Sequence, residues 1–168
     1  GRIANLTGPD DYTRNENYQP WRYYYRVVAG ANDVIDGLGG NDAVLSTDNE
    51  KQSMGQAKAM RAYAYFYLMQ FFNTEYNASA EAIPLYTAVS PTQEANPKST
   101  QAEVYAQIID DLTEAITLLD GFDRANRGMI DKYVAEGLLA YTYAAMGDNA
   151  MAAQYSLDII NNSGFSIT

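Results

Sequence analysis

The chain has 168 residues, with 11 basic and 21 acidic side chains and a formal net charge of −10. It contains no cysteine and no histidine, which excludes thiol nucleophiles, Ser-His-Asp triads, zinc sites and haem ligation by imidazole. No cofactor or metal is expected, and the negative charge argues against a nucleic-acid partner. The length suits one domain, residues 1–168.

A first helix is predicted from about Pro20 to Leu38, because apolar residues recur there at spacings of three and four. Pro20 is expected in its first turn, where the missing N–H costs nothing. Gly37, Gly39 and Gly40 form a strong stop signal at its end.

The same glycines belong to the stretch "DVIDGLGGNDAVL", which resembles one calcium-binding nonapeptide of the pattern G-G-x-G-x-D-x-U-x. Gly37, Gly40, Asp42 and Val44 match this pattern, whereas Leu38 replaces its second glycine. A single copy has no neighbouring turn to stack against, and its flank has the period of a helix. Helix termination is therefore the favoured interpretation.

The second helix is predicted from about Gln52 to Phe72. It is apolar around most of its circumference, so neighbouring elements must cover it on several sides. Alanines alternate with large aromatic residues, which lets adjacent helices interlock. Packing is accordingly the expected role of Tyr63, Tyr65 and Tyr67.

Residues 73–99 are predicted to connect the second and third helices, since prolines at positions 84, 91 and 97 forbid a continuous helix. The connection is long for a structureless loop in a compact domain. We therefore expect part of it to lie against the helices or to carry function.

The third helix is predicted to open with a capping box, in which Thr100 caps the helix and Glu103 reaches back. Its expected buried face contains Val104, Ile108, Leu112, Ala115 and Leu119. Its opposite, solvated side is expected to carry Gln107, Asp110, Asp111 and Glu114. Because Asp110 and Asp111 are adjacent, they point about 100° apart and do not suit glycosidase chemistry.

The fourth and fifth helices are predicted at about Asp131–Met146 and Asn149–Ile160. The stretch "LLAYTYAAMGDNAMAAQ" resembles the middle of a tetratricopeptide repeat, although Ser156 and Ile159 depart from the pattern. Its small and aromatic packing positions are Ala140, Tyr143, Gly147, Asp148 and Ala152. The predicted fold is all-α, with tetratricopeptide-like helical hairpins stacked into an α-α superhelix.

Four ordered stretches resemble the SusD/RagB family of outer-membrane nutrient-binding lipoproteins, and together they cover most of residues 20–168. They are "WRYYYRVVAGANDVIDGL"; "GQAKAMRAYAYFYLMQFFNTEY" followed by "IPLYT"; "STQAEVYAQIIDDLTEAITLL"; and "GMIDKYVAEGLLAYTYAAMGDNAMAAQYSLDIINNSGFSI". Members of that family are much longer and begin with a lipidated cysteine. The resemblance therefore implies that the chain is the helical-repeat portion of a longer protein.

The resemblance further implies a function without catalysis. Such proteins capture oligosaccharides or other nutrients on the surface of Bacteroidetes-like bacteria, and they work with a SusC-type TonB-dependent transporter. The helical repeats would serve as scaffold and as contact surface for that transporter. Localisation at the outer membrane would rest on an N-terminal lipid anchor that is absent from this chain.

Ligand-binding residues are sought in the segment "DDYTRNENYQPW", which is rich in side chains that stack on sugars and form hydrogen bonds. The predicted residues are Tyr12, Asn15, Tyr18 and Trp21. The alternative is an ordinary polar lead-in in which Trp21 packs as a helix anchor. The family motif does not single out these positions, and both interpretations stay open.

Two other classes of function compete with nutrient binding. A tetratricopeptide-like adaptor would grip a peptide in a concave groove, but only one good copy of the repeat is visible. An all-helical enzyme would need a nucleophile–base pair, a metal cluster or a phosphate loop, and none of these is recognisable. No catalytic residue is therefore predicted.

Overall fold

The computed structural model describes residues 15–89 and 94–165. Within these ranges the elements are α1 (Asn15–Gly37), α2 (Asp48–Phe72), β1 (Glu81–Pro84), β2 (Lys98–Thr100), α3 (Gln101–Leu118), α4 (Lys132–Ala145) and α5 (Asn149–Asn162). Each helix packs chiefly against the helices next to it in chain order, which is the arrangement of helical-repeat proteins. The prediction of an all-α fold is confirmed. None of these helices is both long and apolar enough to cross a bilayer.

Helix α1 begins at Asn15, so the prediction that Pro20 occupies its first turn is wrong. Pro20 lies inside the helix. Its ring removes the hydrogen bond to the carbonyl of Glu16, and Glu16 is exposed to solvent, where water can satisfy that carbonyl. The predicted stop is confirmed, because α1 ends at Gly37 and the next glycines have positive φ angles of 107° at Gly39 and 94° at Gly40.

Helix α2 begins at Asp48, earlier than predicted, because a capping box precedes it. The Thr47 hydroxyl accepts a hydrogen bond from Glu50 N at 3.2 Å, and the Glu50 carboxylate accepts one from Thr47 N at 2.8 Å. The packing role of the tyrosines is confirmed. Tyr65 is fully buried, and the rings of Tyr63 and Tyr67 contact each other with centroids 4.7 Å apart.

The connection between α2 and α3 contains two short strands that the sequence did not predict. β1 and β2 pair in antiparallel fashion, with Glu81 opposite Thr100. The segment that starts at the last residue of β1, residues 84–89, lies against α1 and α2, as expected for a long connection. The pairing of the two strands brings residues 81–84 close to residues 98–100, just before α3 begins.

Helix α3 opens with the predicted capping box. Glu103 N donates to the Thr100 hydroxyl at 3.2 Å, and Thr100 N donates to the Glu103 carboxylate at 2.7 Å. The predicted buried face is also confirmed. The prediction that Asp111 is solvated is wrong, because its exposed fraction is 0%. Asp111 meets Arg61 of α2 in the interface between the two helices, whereas Asp110 is exposed.

Helices α4 and α5 form the predicted helical hairpin. Gly147 turns the chain with a φ angle of 82°, and the Asp148 carboxylate caps α5 by accepting from Met151 N at 3.1 Å. The rings of Tyr143 and Tyr155 stack with centroids 5.9 Å apart and an interplanar angle of 7°. The hairpin therefore has the tight turn that the repeat pattern predicted at Gly147 and Asp148. Tyr143, one of the predicted packing positions, contacts Tyr155, which the pattern did not predict.

Candidate binding cleft

A cleft with a volume of about 430 Å³ lies between α1 and residues 84–89. One wall is a face of α1, and the other is the segment that follows β1. The lining residues are Trp21, Tyr25, Val28, Ala29, Asn32, Asp33, Pro84, Tyr86, Ala88 and Val89. Most of this surface is apolar or aromatic, with a small number of polar groups, as is typical of small-molecule sites.

The helical wall exists because residues three or four apart share one face of a helix. Trp21 and Tyr25 are neighbours on this face, with ring centroids 4.7 Å apart. The Tyr25 ring meets the Tyr86 ring edge-on, with centroids 5.8 Å apart and an interplanar angle of 84°. These three aromatic residues are only partly buried, so part of each ring remains available at the cleft.

Tyr86 is held in the opposite wall through its main chain. Its carbonyl accepts hydrogen bonds from the Tyr65 hydroxyl at 2.9 Å and from Asn32 Nδ2 at 2.9 Å. Its N–H donates back to the Tyr65 hydroxyl at 2.7 Å. Nearer β1, the Tyr25 hydroxyl donates to the Pro84 carbonyl at 2.8 Å. Side chains of α1 and α2 thus position this wall by its backbone.

The outer part of the same segment is held in the same way. The Thr87 carbonyl accepts from Asn41 Nδ2 at 2.8 Å, and Val89 N donates to Asp36 Oδ2 at 2.8 Å. Backbone groups that would otherwise need water are therefore paired with side chains, and residues 84–89 form a fixed wall.

Arg61 joins the cleft wall to the helix core. Its guanidinium binds the Asp111 carboxylate through two hydrogen bonds of 2.8 and 2.7 Å. It also donates to Asn32 Oδ1 at 2.9 Å, to the Thr87 carbonyl at 2.8 Å and to Asn41 Oδ1 at 2.7 Å. Both Arg61 and Asp111 are fully buried, and this many partners is what a buried charge needs.

The electrostatics of this network keep each group in the form that its bonds require. Burial lowers the pKa of Arg61, whereas the hydrogen bonds and the negative charge of Asp111 raise it. The raising effects are larger in sum, so the net shift of the Arg61 pKa is upward. Burial also raises the pKa of the Tyr25 and Tyr65 hydroxyls. Both phenols therefore remain neutral hydrogen-bond donors to the cleft wall.

Of the predicted ligand-binding residues, Trp21 lines the cleft. Tyr18 lies about one turn earlier on α1, where it is 49% exposed and has the Arg22 guanidinium 6.0 Å from its ring centroid. Asn15 is exposed at the start of α1 and accepts a hydrogen bond from Gln19 at 3.1 Å. Both residues are therefore helical rather than part of a polar lead-in. Tyr12 lies outside the described residues.

Tyr25, Asn32 and Tyr86 were not predicted to line a cleft. Tyr86 had a signal, because it belongs to the "IPLYT" stretch of the family resemblance. Asn32 is a buried amide on the apolar face of α1, and a polar residue at such a position is a hint of a specific partner.

The chemistry of the cleft suits a ligand that combines flat apolar faces with hydroxyl groups. Aromatic rings provide stacking surface, and the edge carries the Asp33 carboxylate. Asp33 is the only acid among the described lining residues. Hydrolysis of a glycosidic bond ordinarily needs a pair of carboxyl groups, and the described lining offers one.

A family model described as "Starch-binding associating with outer membrane", of the SusD-like type, matches residues 4–126. A SusD-like protein of Bacteroides ovatus is 25% identical over an alignment of 193 positions, gaps included. The alignment covers 99% of this chain and 33% of that protein. The chain thus spans about a third of the length of this relative.

Solved structures give the same picture. A SusD-like carbohydrate-binding protein from Bacteroides vulgatus is 29% identical, with a TM-score of 0.80, over 90% of this chain and 33% of that one. Another structure, solved with xylogluco-oligosaccharide, is 26% identical, with a TM-score of 0.76, over 92% of this chain and 31% of the other.

Proposed function

The chain belongs to the SusD-like family, and we propose that it forms the helical scaffold and one glycan-binding cleft of a nutrient-capture protein at the outer membrane. A relative of similar fold was solved with an oligosaccharide, which supports a saccharide as ligand. Because the chain spans about a third of its relatives, the activity of the whole protein is part of this proposal.

The observation that carries the proposal is the trio of partly exposed rings, Trp21, Tyr25 and Tyr86, at the preformed cleft. The apolar face of a pyranose ring stacks on such surfaces, while its hydroxyls bond to groups at the edge, such as the Asp33 carboxylate. The backbone bonds that hold residues 84–89 fix this geometry before a ligand arrives, which lowers the entropy cost of binding.

Trp21 is the central stacking platform in this proposal. Tyr18 and Asn15, on the turns of α1 before it, would extend the contact surface for a longer oligosaccharide. Tyr12 stays a predicted contact. Each position offers either a ring that can stack on a sugar or an amide that can hydrogen-bond to its hydroxyls.

The partner in this proposal is a SusC-type TonB-dependent transporter, and the site of action is the cell surface. A stack of helices presents a rigid, extended surface to a large partner. The family description, which names association with the outer membrane, supports this location. Capture without catalysis is part of the same proposal.

The test is isothermal titration of the 168-residue protein with xylogluco-oligosaccharide and with a malto-oligosaccharide. We expect saturable binding of at least one of them, weakened about tenfold or more by Trp21→Ala. Tyr141→Ala is the matched control, because Tyr141 is an exposed aromatic residue of α4 away from the cleft, and its affinity should not change.

Three results would overturn the proposal: no binding of either saccharide, equal affinity of the Trp21→Ala variant, or cleavage of the saccharide by the purified protein. A peptide that binds at the cleft while saccharides do not would instead favour the tetratricopeptide-like adaptor. Circular dichroism of each variant checks that its helices are intact.

A further inference from the structure

A second recess, of about 330 Å³, lies between α4 and α5 and shares no residue with the binding cleft. We call it the acidic recess, and it is lined by Glu136, Gln154, Tyr155, Leu157, Asp158 and Asn161. Glu136 is only 3% exposed, and its Oε2 atom has no hydrogen-bond partner among the described residues. Buried polar atoms are almost always paired. Asp158 can hydrogen-bond Glu136 only while Glu136 holds a proton, so the charged form of Glu136 has no hydrogen-bond donor among the described residues.

The net effect of the groups around Glu136 is to disfavour its charged form. The positive charge of Lys132, one turn earlier on α4, favours that form, but the Lys132 ammonium is bound by Asp120 at 3.0 Å. Asp158 of α5 adds a second negative charge beside Glu136, and the Tyr155 hydroxyl is neutral. Burial, followed by the charge of Asp158, raises the pKa of Glu136 to about 7. Without a cation, the Glu136 carboxyl group therefore remains partly protonated near neutral pH.

Apolar side chains are exposed in and beside the acidic recess. Leu157, which lines the recess, is 56% exposed, and Ile160, the residue of α5 just before the lining residue Asn161, is 72% exposed; α5 has no buried residue. A surface that combines such apolar side chains with the buried Glu136 and the partly buried Asp158 is complementary to a cation carried on an apolar stem. Among protein side chains, arginine fits best, because its planar fork of donors can bond both carboxylates at once.

We propose that the acidic recess binds an arginine side chain from a protein segment that packs on the exposed face of α5. The guanidinium lies between the Glu136 and Asp158 carboxylates, and the stem of the arginine covers Leu157. Binding replaces the proton of Glu136 with a fixed positive charge, so it is accompanied by proton release near neutral pH. This interaction is independent of saccharide binding in the cleft.

The probe for this proposal is N-acetyl-L-arginine methylamide, which mimics an arginine inside a chain, and its matched control is the neutral, nearly isosteric citrulline analogue. Carboxyl signals of the ¹³C-labelled protein are followed by NMR during titration. We expect saturable shifts at Glu136 and Asp158 with the arginine probe only, together with a lower apparent pKa of Glu136. The Glu136→Gln variant should bind roughly tenfold or more weakly.

Equal shifts with the citrulline analogue, absence of saturable shifts, or unchanged affinity of the Glu136→Gln variant would overturn the proposal. Tighter binding of free L-arginine than of the blocked probe would also overturn it, by indicating a site for a free amino acid. Asp158→Asn repeats the test if Glu136→Gln does not fold, and Asp110→Asn, at an exposed acid of α3, is the control that should leave affinity unchanged.

Discussion

The helices α1–α3 and the hairpin α4–α5 follow the same plan of neighbouring helix packing, yet they differ in how completely they are covered. In α2, twelve residues are fully buried, among them Lys58 and Arg61. In α5, none is. The first region therefore contains a helix, α2, that other elements cover on several sides, whereas the second region has an uncovered face on α5.

The polar groups of the two regions show the same difference. Arg61 has hydrogen bonds to four different residues, and Lys58 is paired with Glu114 and with the Asn41 carbonyl. Glu136, in the second region, has an oxygen with no bond among the described residues. The buried charges of α2 are thus paired inside the fold, whereas Glu136 of α4 lies beside an open recess.

The largest effect on stability is expected from a substitution in the first region that removes the partner of a buried charge. Asp111→Ala leaves the buried Arg61 guanidinium without its carboxylate, and we expect a loss of about 3–5 kcal/mol in the free energy of unfolding. Urea denaturation followed by circular dichroism measures it. Asp110→Ala, at the neighbouring exposed position, is the control. Similar losses for the two variants would contradict the assignment of Asp111 to the buried network.

A smaller effect is expected from close packing between α2 and α3. A Cβ atom on Gly55 would lie 2.8 Å from Leu119 Cγ and 3.1 Å from Leu118 Cβ. Gly55→Ala should therefore lower stability by about 1–3 kcal/mol. Gly30→Ala in α1 meets no atom within 4 Å and should raise stability by up to about 1 kcal/mol. Thermal denaturation of both variants checks this pair, and a stabilising Gly55→Ala would contradict it.

The pH dependence of stability distinguishes the second region. The pKa of Glu136 rises from 4.5 to about 7 on folding, so between these values the folded state holds more protons than the unfolded state. Stability contributed by this group is present below pH 4.5 and falls as the pH rises to 7. Glu136→Gln should remove a decline on the order of 2 kcal/mol.

Urea denaturation at a series of pH values measures this decline. The control is Asp110→Asn, which should keep the slope of the wild-type protein. A Glu136→Gln variant with the full wild-type decline would place the titrating group elsewhere and would remove the contrast between the two regions.

The smallest effect is expected on the uncovered face of α5. Leu157 is exposed, so Leu157→Ala should change stability by no more than about 0.5 kcal/mol. Leu139 of α4 is fully buried, and Leu139→Ala should lower stability by about 2–5 kcal/mol. Comparable losses at the two positions, measured by denaturation, would show that α5 is already covered.

Helix ends were predictable where the signal is local. Thr100 and Glu103 gave the start of α3, and Gly37 gave the end of α1, because capping and glycine conformations depend on a few adjacent residues. The start of α1 was missed, because a proline that suits a first turn is also tolerated further inside when the lost bond faces water.

The position of Asp111 was missed although the chain contained a signal for it. Asp111 is three residues after Ile108 and four before Ala115, so it lies on the buried stripe of α3. Its partner Arg61 is a rare strongly polar residue in the central part of α2. Hydrophobic periodicity assigns each residue to a buried or an exposed face by its own polarity. It therefore cannot indicate that two charges far apart in the sequence pair with each other.

The cleft could not be predicted from local patterns, because its walls are far apart in the chain. Tyr25 and Pro84 are separated by 59 positions, and their hydrogen bond exists only in the tertiary structure. Trp21 was predicted as a ligand contact because an aromatic residue beside a polar segment is conspicuous, and it lines the cleft. Its neighbours across the cleft depend on tertiary structure alone.

The way in which residues 84–89 are anchored has an evolutionary consequence. The side chains of Arg61, Tyr65, Asn32 and Asn41 form hydrogen bonds to backbone groups of this segment. These bonds do not depend on which side chains the segment carries. Ala88 and Val89 can therefore be exchanged for other residues while the loop keeps its course. Such a scaffold lets ligand preference drift through single substitutions, without each new preference requiring a new fold.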